Sequence, residues 1–100
     1  MARMKHRILL AQQALRDLRR LRVHDRSAVI SAIAKHLTHE PKRTSKSRIK
    51  RLRGLAKAGY RLRIGDIRVF YDVAGAEVHV LAIIAKADAE QWLAEEGERS

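Results

Sequence analysis

The sequence predicts an α+β fold: an N-terminal strand and a two-helix antiparallel hairpin packed on a mainly antiparallel sheet, in the order β-α-α-β-β-β-α. Three observations carry this. Apolar residues recur at helical spacing through residues 11–37. Apolar and polar residues alternate on both sides of Gly65-Asp66, as the two strands of a hairpin do. The remaining strands gather after the helices instead of alternating with them. That pattern places helices on one face of an antiparallel sheet rather than in βαβ units.

The elements follow in chain order. "HRILL", residues 6–10, reads as a short strand. From Ala11 the period changes. Ala11, Ala14, Leu15, Leu18 and Leu21 share one helical face, while Arg16, Asp17, Arg19 and Arg20 point elsewhere. Asp25 offers an N-cap for a second helix, whose apolar stripe is Val29, Ile30, Ile33 and Leu37. Glu40-Pro41 marks its end, because the residue before a proline is pushed out of the helical region. A short joint makes the two helices an antiparallel hairpin. Residues 41–59 form a basic loop in which Ile49, Leu52 and Leu55 can anchor either a helical turn or a short strand.

Gly65-Asp66 fits a two-residue turn of type II′, with glycine at the first central position. That register sets Ile64 against Ile67, Arg63 against Arg68, Leu62 against Val69 and Arg61 against Phe70. Opposed side chains project to the same side of a sheet. Tyr60, Leu62, Ile64, Ile67, Val69 and Tyr71 therefore form the core face, and Arg61, Arg63, Arg68 and Phe70 the other. "EVHVLAIIA" is apolar almost throughout, as a central strand covered on both sides would be. On strict alternation its His79 shares a side with Leu81 and Ile83. An acidic helix, residues 87–98, closes the chain with Trp92 and Leu93 inward.

One hundred residues suffice for a single domain, 1–100. With no cysteine there is no disulfide and no cysteine-ligated metal, which suits a reducing cytoplasm. No apolar run approaches the length of a membrane span. The charge is the loudest feature. The formal net charge is +11, but residues 1–65 hold 19 Lys and Arg against three acids, and residues 66–100 hold three against eight. Such a field favours a polyanion or an acidic protein as partner.

Arg63 opposite Arg68 is a like-charge pair, mildly unfavourable by itself. Something anionic offsets it: carboxylates of this chain such as Asp72 and Glu77, an acidic partner segment, or a phosphate, whose oxygens a guanidinium fork matches. The basic segment adds Lys50, Arg51 and Arg53 to that account. Phe70 on the same side either stacks a base or sits under a helix. His36 and His39, three apart at a helix end, read as solvated, and no metal-ligand cluster or cofactor motif is present. Tyr71 lies on the core face, with its hydroxyl expected on a partner.

"KRLRGLAKAGYRLRIGDIRVFYDV" followed by "EVHVLAIIAK" resembles the RelE/ParE superfamily of type II toxin–antitoxin toxins. The pattern is K-x-L-x-G, then Y-R-L-R-x-G-D-x-R-V-x-Y, then an apolar strand, and the likeness covers about residues 6 to 93. It implies a cytoplasmic toxin silenced by a cognate acidic antitoxin, with operator DNA bound only through the antitoxin complex. RelE-like members cut mRNA in the ribosomal A site, and ParE-like members poison DNA gyrase. By the resemblance, Arg61 and Arg63 match positions that hold the RNA backbone, and Arg68 matches the arginine on the scissile phosphate. Lys86 fills one of two basic slots after the last strand, and Ala87 occupies the other.

Cleavage of this kind needs no metal: the 2′-hydroxyl attacks the adjacent phosphorus, and cations stabilise the charge that builds there. The family's closing tyrosine is missing, since Trp92 or Leu93 stands near that slot. His79, Asp88 and Glu90 are the remaining acid/base candidates. Three functions stay open: a ribosome-dependent mRNA endonuclease using Arg68, Lys86 and Arg63, placed first on its arginines; a gyrase inhibitor acting by binding; and a weakly toxic homologue.

Overall fold

The computed structural model describes residues 4–53 and 58–99, with side chains through Glu96. Five strands, β1 (Arg7–Leu10), β2 (Ile49–Arg51), β3 (Tyr60–Ile64), β4 (Ile67–Ala74) and β5 (Glu77–Ala85), form one sheet. Their order is β1-β5-β4-β3-β2, with β1 parallel to β5 and every other pair antiparallel. The helices α1 (Gln12–Arg20) and α2 (Val23–Leu37) come between β1 and β2. A 3-10 turn at Lys86–Asp88 leads into α3 (Ala89–Arg99).

The β3–β4 hairpin has the expected register at all four predicted pairs and adds Tyr60 against Tyr71. Gly65 has φ 56° and Asp66 has no positive φ, as a type II′ turn requires. Gly75, with φ 58°, makes the equivalent turn between β4 and β5. Within the described part of the basic loop, Ile49–Arg51 form a short strand, β2, whose Ile49 opposes Leu62 and enters the core. Leu55 lies outside the described residues.

The helical hairpin departs from its expected details. Asp25 is not the cap: α2 starts at Val23 with Arg22 at the capping position, and Asp25 sits inside the first turn. A carboxylate there still faces the positive end of the helix dipole. The inward stripe of α2 is Val29, Ile33 and Leu37, spaced by four, and Ile30 is rotated out and 51% exposed. Leu15 of α1 is likewise exposed, and Ala14 is the residue that packs. Arg26 closes the two-residue joint. Its guanidinium donates to the carbonyls of Leu18 (3.3 Å), which also accepts the Leu21 N–H, Arg19 (3.2 Å) and Leu21 (2.9 Å), and so supplies a donor where the helix ends.

Both sheet faces are covered, not one. Between the sheet and α1–α2 lies the larger core, including Val29, Leu37, Leu62, Val69, Tyr71, Val78 and Val80. On the opposite face α3 presses Trp92 onto Phe70, Ala58 and Ala82. The Phe70 and Trp92 rings stack with centroids 4.8 Å apart. Phe70 thus sits under a helix, and β5 is apolar from Val80 to Ala85 because both its sides are covered.

A register shift refines the alternation. Phe70 opposes Ala82 but Tyr71 opposes Val80, so Leu81 is an extra residue, a β-bulge. His79 and Leu81 stay on the α3 side, while Ile83 turns to the other core, against the strict-alternation expectation. Past the end of β1, Asp17 of α1 accepts the Ile83 N–H at 2.9 Å. Gln13 bridges onward, donating to Asp17 at 3.5 Å and accepting from the Trp92 indole at 3.4 Å. The two layers are therefore tied together around the open edge of β5.

Candidate functional site

Strand register lays four cations on the α3 side of the sheet. Lys50 opposes Arg61, and Arg63 opposes Arg68. Lys50 and Arg63 are exposed and Arg61 is half-buried. The Nε of Arg61 is buried with no hydrogen-bond partner. A buried donor without an acceptor is costly and calls for a missing anion or water. Neither carboxylate expected to pair with the arginines does so. Asp72 accepts the Val73 N–H at 2.9 Å, and Glu77 takes His79 at 3.1 Å and Arg7 at 3.8 Å.

Arg68 differs from its neighbours. It is only 6% exposed, and one guanidinium nitrogen donates to the carbonyls of Gly65 (2.8 Å) and Ile67 (3.1 Å). It braces the turn of its own hairpin. Burial first, then the charges of Arg61 and Arg63, hold its pKa below the usual arginine value, with Asp66 opposing. Its charge is thus the least comfortable of the four.

The other predicted residues divide by position. Lys86 is exposed, and its N–H donates to the Asp66 carbonyl at 2.7 Å, which sets it at the hairpin tip near Arg63 and Arg68. Asp88 is exposed in the same 3-10 turn, and Glu90 in the first turn of α3 is exposed too. Arg53 is exposed in coil after β2. Arg51 is on the opposite face from Lys50: its guanidinium lies over the Tyr60 ring, 5.1 Å from the centroid, and donates to the Tyr60 hydroxyl at 3.1 Å.

His79 opposes Asp72, four residues along β4 from Arg68, which is roughly 13 Å at the usual strand rise. The Phe70–Trp92 stack lies between them. Tyr71 is wholly buried, donates to the Pro41 carbonyl at 2.7 Å, and has its ionisation pushed well up by burial. The structure thus brings together Lys50, Arg61, Arg63, Arg68 and Lys86, and separates them from Arg51 and His79. Asp17 and Gln13, which hold α3 in place, were not singled out from the sequence. The one available signal was a lone acid on a basic helix.

Comparison with known proteins gives a consistent picture. Residues 8–90 match the family described as the ParE toxin of the type II toxin–antitoxin system parDE. No curated protein matches the chain. Among solved structures, the chain is similar to the RelBE2 toxin–antitoxin complex of Mycobacterium tuberculosis, with 27% identity, a TM-score of 0.71, and coverage of 85% of this chain and 95% of that one. It also resembles the RelE–RelB complex of Pyrococcus horikoshii, at 24% identity and TM-score 0.68 over 83% and 97% of the two chains. A double arginine-to-alanine variant of Escherichia coli RelE in the free state gives 22% and 0.71 over 96% and 98%. The last two likenesses concern the fold.

Proposed function

This chain belongs to the ParE toxin family of type II toxin–antitoxin systems, and we propose that it acts by binding rather than by cutting RNA, with DNA gyrase as target and an acidic antitoxin as silencer. One observation carries the reading. Among the described residues, neither a histidine nor a tyrosine is placed to transfer a proton beside the arginines. Attack by a 2′-hydroxyl needs one group to take its proton and another to protonate the leaving oxygen. His79 is far along the sheet and engaged with Glu77, Tyr71 faces the other core, and Trp92 roofs the space between. Of the candidates only the carboxylates Asp88 and Glu90 remain, both exposed at the start of the closing helix. A binding toxin needs none of these groups. Its cationic face and a net charge of +11 suit an acidic protein surface, and the antitoxin competes for the same charge.

A second reading keeps the endonuclease. The unpartnered Arg61 Nε beside Lys50 and Arg63 favours it, because such a row can hold consecutive phosphates. Arg68, Lys86 and Arg63 would then stabilise the transition state electrostatically while the ribosome supplies positioning. The test is to induce the chain without antitoxin, map new mRNA 5′ ends and assay supercoiling in the same cells. Impaired supercoiling with intact messages is the expected result. Fresh cuts within codons and normal supercoiling would overturn the binding reading in favour of the second.

A further inference from the structure

A separate cavity of about 410 Å³ opens where α2 ends, on the helical side of β2, away from the arginine face. Lys35, His36 and His39 line it from α2 and its exit, and Arg43, Ser45 and Arg48 from the segment that follows Pro41. Its carboxylate, Glu40, is engaged with Arg43 at 2.9 Å. The carbonyls at a helix C-terminus account for Lys35 and His36. They do not account for Arg48, which arrives from a different element.

Nor is Arg48 on a loose strap. The Ser45 N–H donates to the Ile49 carbonyl at 2.9 Å. Ser45 Oγ accepts from the N–H groups of Arg48 (3.0 Å) and Ile49 (3.3 Å), which leaves its hydroxyl hydrogen free to donate. The Arg48 carbonyl accepts the Arg63 N–H at 2.9 Å, fastening the segment to β3. The side chains of Lys35 and Arg48, the Ser45 hydroxyl and the His36 imidazole thus border a space many times the roughly 30 Å³ that a water occupies, with the Arg48 backbone held in place.

We propose that this cavity is a phosphate-binding site, independent of the arginine face. Lys35 and Arg48 supply charge, Ser45 donates, and His36 completes the shell when protonated. Burial, then Arg48 and Lys35, hold the His36 pKa below its ordinary value. His39, Arg43 and Glu40 are the other charged or titratable groups facing it. A bound dianion offsets the cations, so the His36 midpoint should rise on binding.

The test is a proton–nitrogen NMR titration of the full-length chain with inorganic phosphate and then adenosine 5′-monophosphate, against chloride at equal ionic strength. The expected result is one saturating curve shared by the Ser45 and Arg48 amides, with the His36 midpoint raised. Arg48→Ala and Lys35→Ala should each weaken binding about tenfold, about 1.4 kcal/mol, and Arg16→Ala on α1 should not. Tighter binding of the nucleotide identifies a nucleotide phosphate, and equal or tighter binding of the inorganic ion identifies free phosphate. Unsaturating shifts, the same shifts with chloride, or undiminished binding by both folded variants would overturn the site. No toxicity enters the readout, so the outcome stands apart from the function proposed above.

Discussion

Arg68→Ala separates a structural arginine from a surface one. In the native chain one Arg68 nitrogen is shared between the Gly65 and Ile67 carbonyls at 2.8 and 3.1 Å. A hydrogen bond from a charged donor is worth roughly 1.5–3 kcal/mol. Removing it also relieves the burial of the charge and its crowding by Arg61 and Arg63, which work the other way. The net expectation is a loss of about 1–2 kcal/mol. For a domain of this size that lowers Tm by about 4–16 °C. Arg63→Ala, at the opposed but exposed position, removes only repulsion and should change stability by less than about 0.5 kcal/mol. Thermal and urea unfolding of the two variants side by side provide the assay. If Arg68→Ala unfolds like the native chain, or Arg63→Ala is the weaker of the two, the bracing role is wrong. The consequence for function is direct. Loss of growth arrest in Arg68→Ala reports a lost contact only after correction for the folded fraction, whereas Arg63→Ala needs no such correction.

Three more outcomes follow from the packing. Asp17→Ala should cost about 1–3 kcal/mol, because the Ile83 N–H loses its acceptor at the open edge of β5, and hydrogen exchange at that amide should accelerate. Trp92→Ala should cost about 3–5 kcal/mol and release α3 from Phe70, seen as lost helical circular dichroism and faster exchange in residues 89–96. Tyr71 gives a pH signature. Burial raises its folded-state pKa above the unfolded value of about 10, so the stability it contributes is whole below that pH and is lost as pH climbs through the folded value. Tyr71→Phe should flatten that alkaline decline while costing about 1 kcal/mol at neutral pH, read by unfolding across the two pH ranges.

The hairpin was legible because its information is local. A glycine able to take a positive φ and a strict two-residue alternation leave one register, and Arg63 against Arg68 follows from it. Helix faces were legible only in part. Ile30 and Leu15 look like core by type, but which flank of an amphipathic stripe meets the sheet depends on how the helix is rotated against it. The β-bulge at Leu81 left no mark in an apolar run, so the side taken by Ile83 was misread. The candidate site divides the same way. Its row of cations comes from alternation, whereas the separation of Arg51 from Lys50 needed a strand that the basic segment could not announce.

The sequence by itself determined the family, the charge imbalance and the arginine row, since each rests on residue identity and short-range spacing. Tertiary structure alone decided that Arg68 is buried against its own turn and that α3 roofs the face through Trp92. It also decided that Asp17 caps β5, and that Arg48 meets Lys35 and His36 around a cavity. Each of these joins residues distant in the chain. Burial and chain closure bring them together, and no local pattern encodes which distant partner a side chain will find.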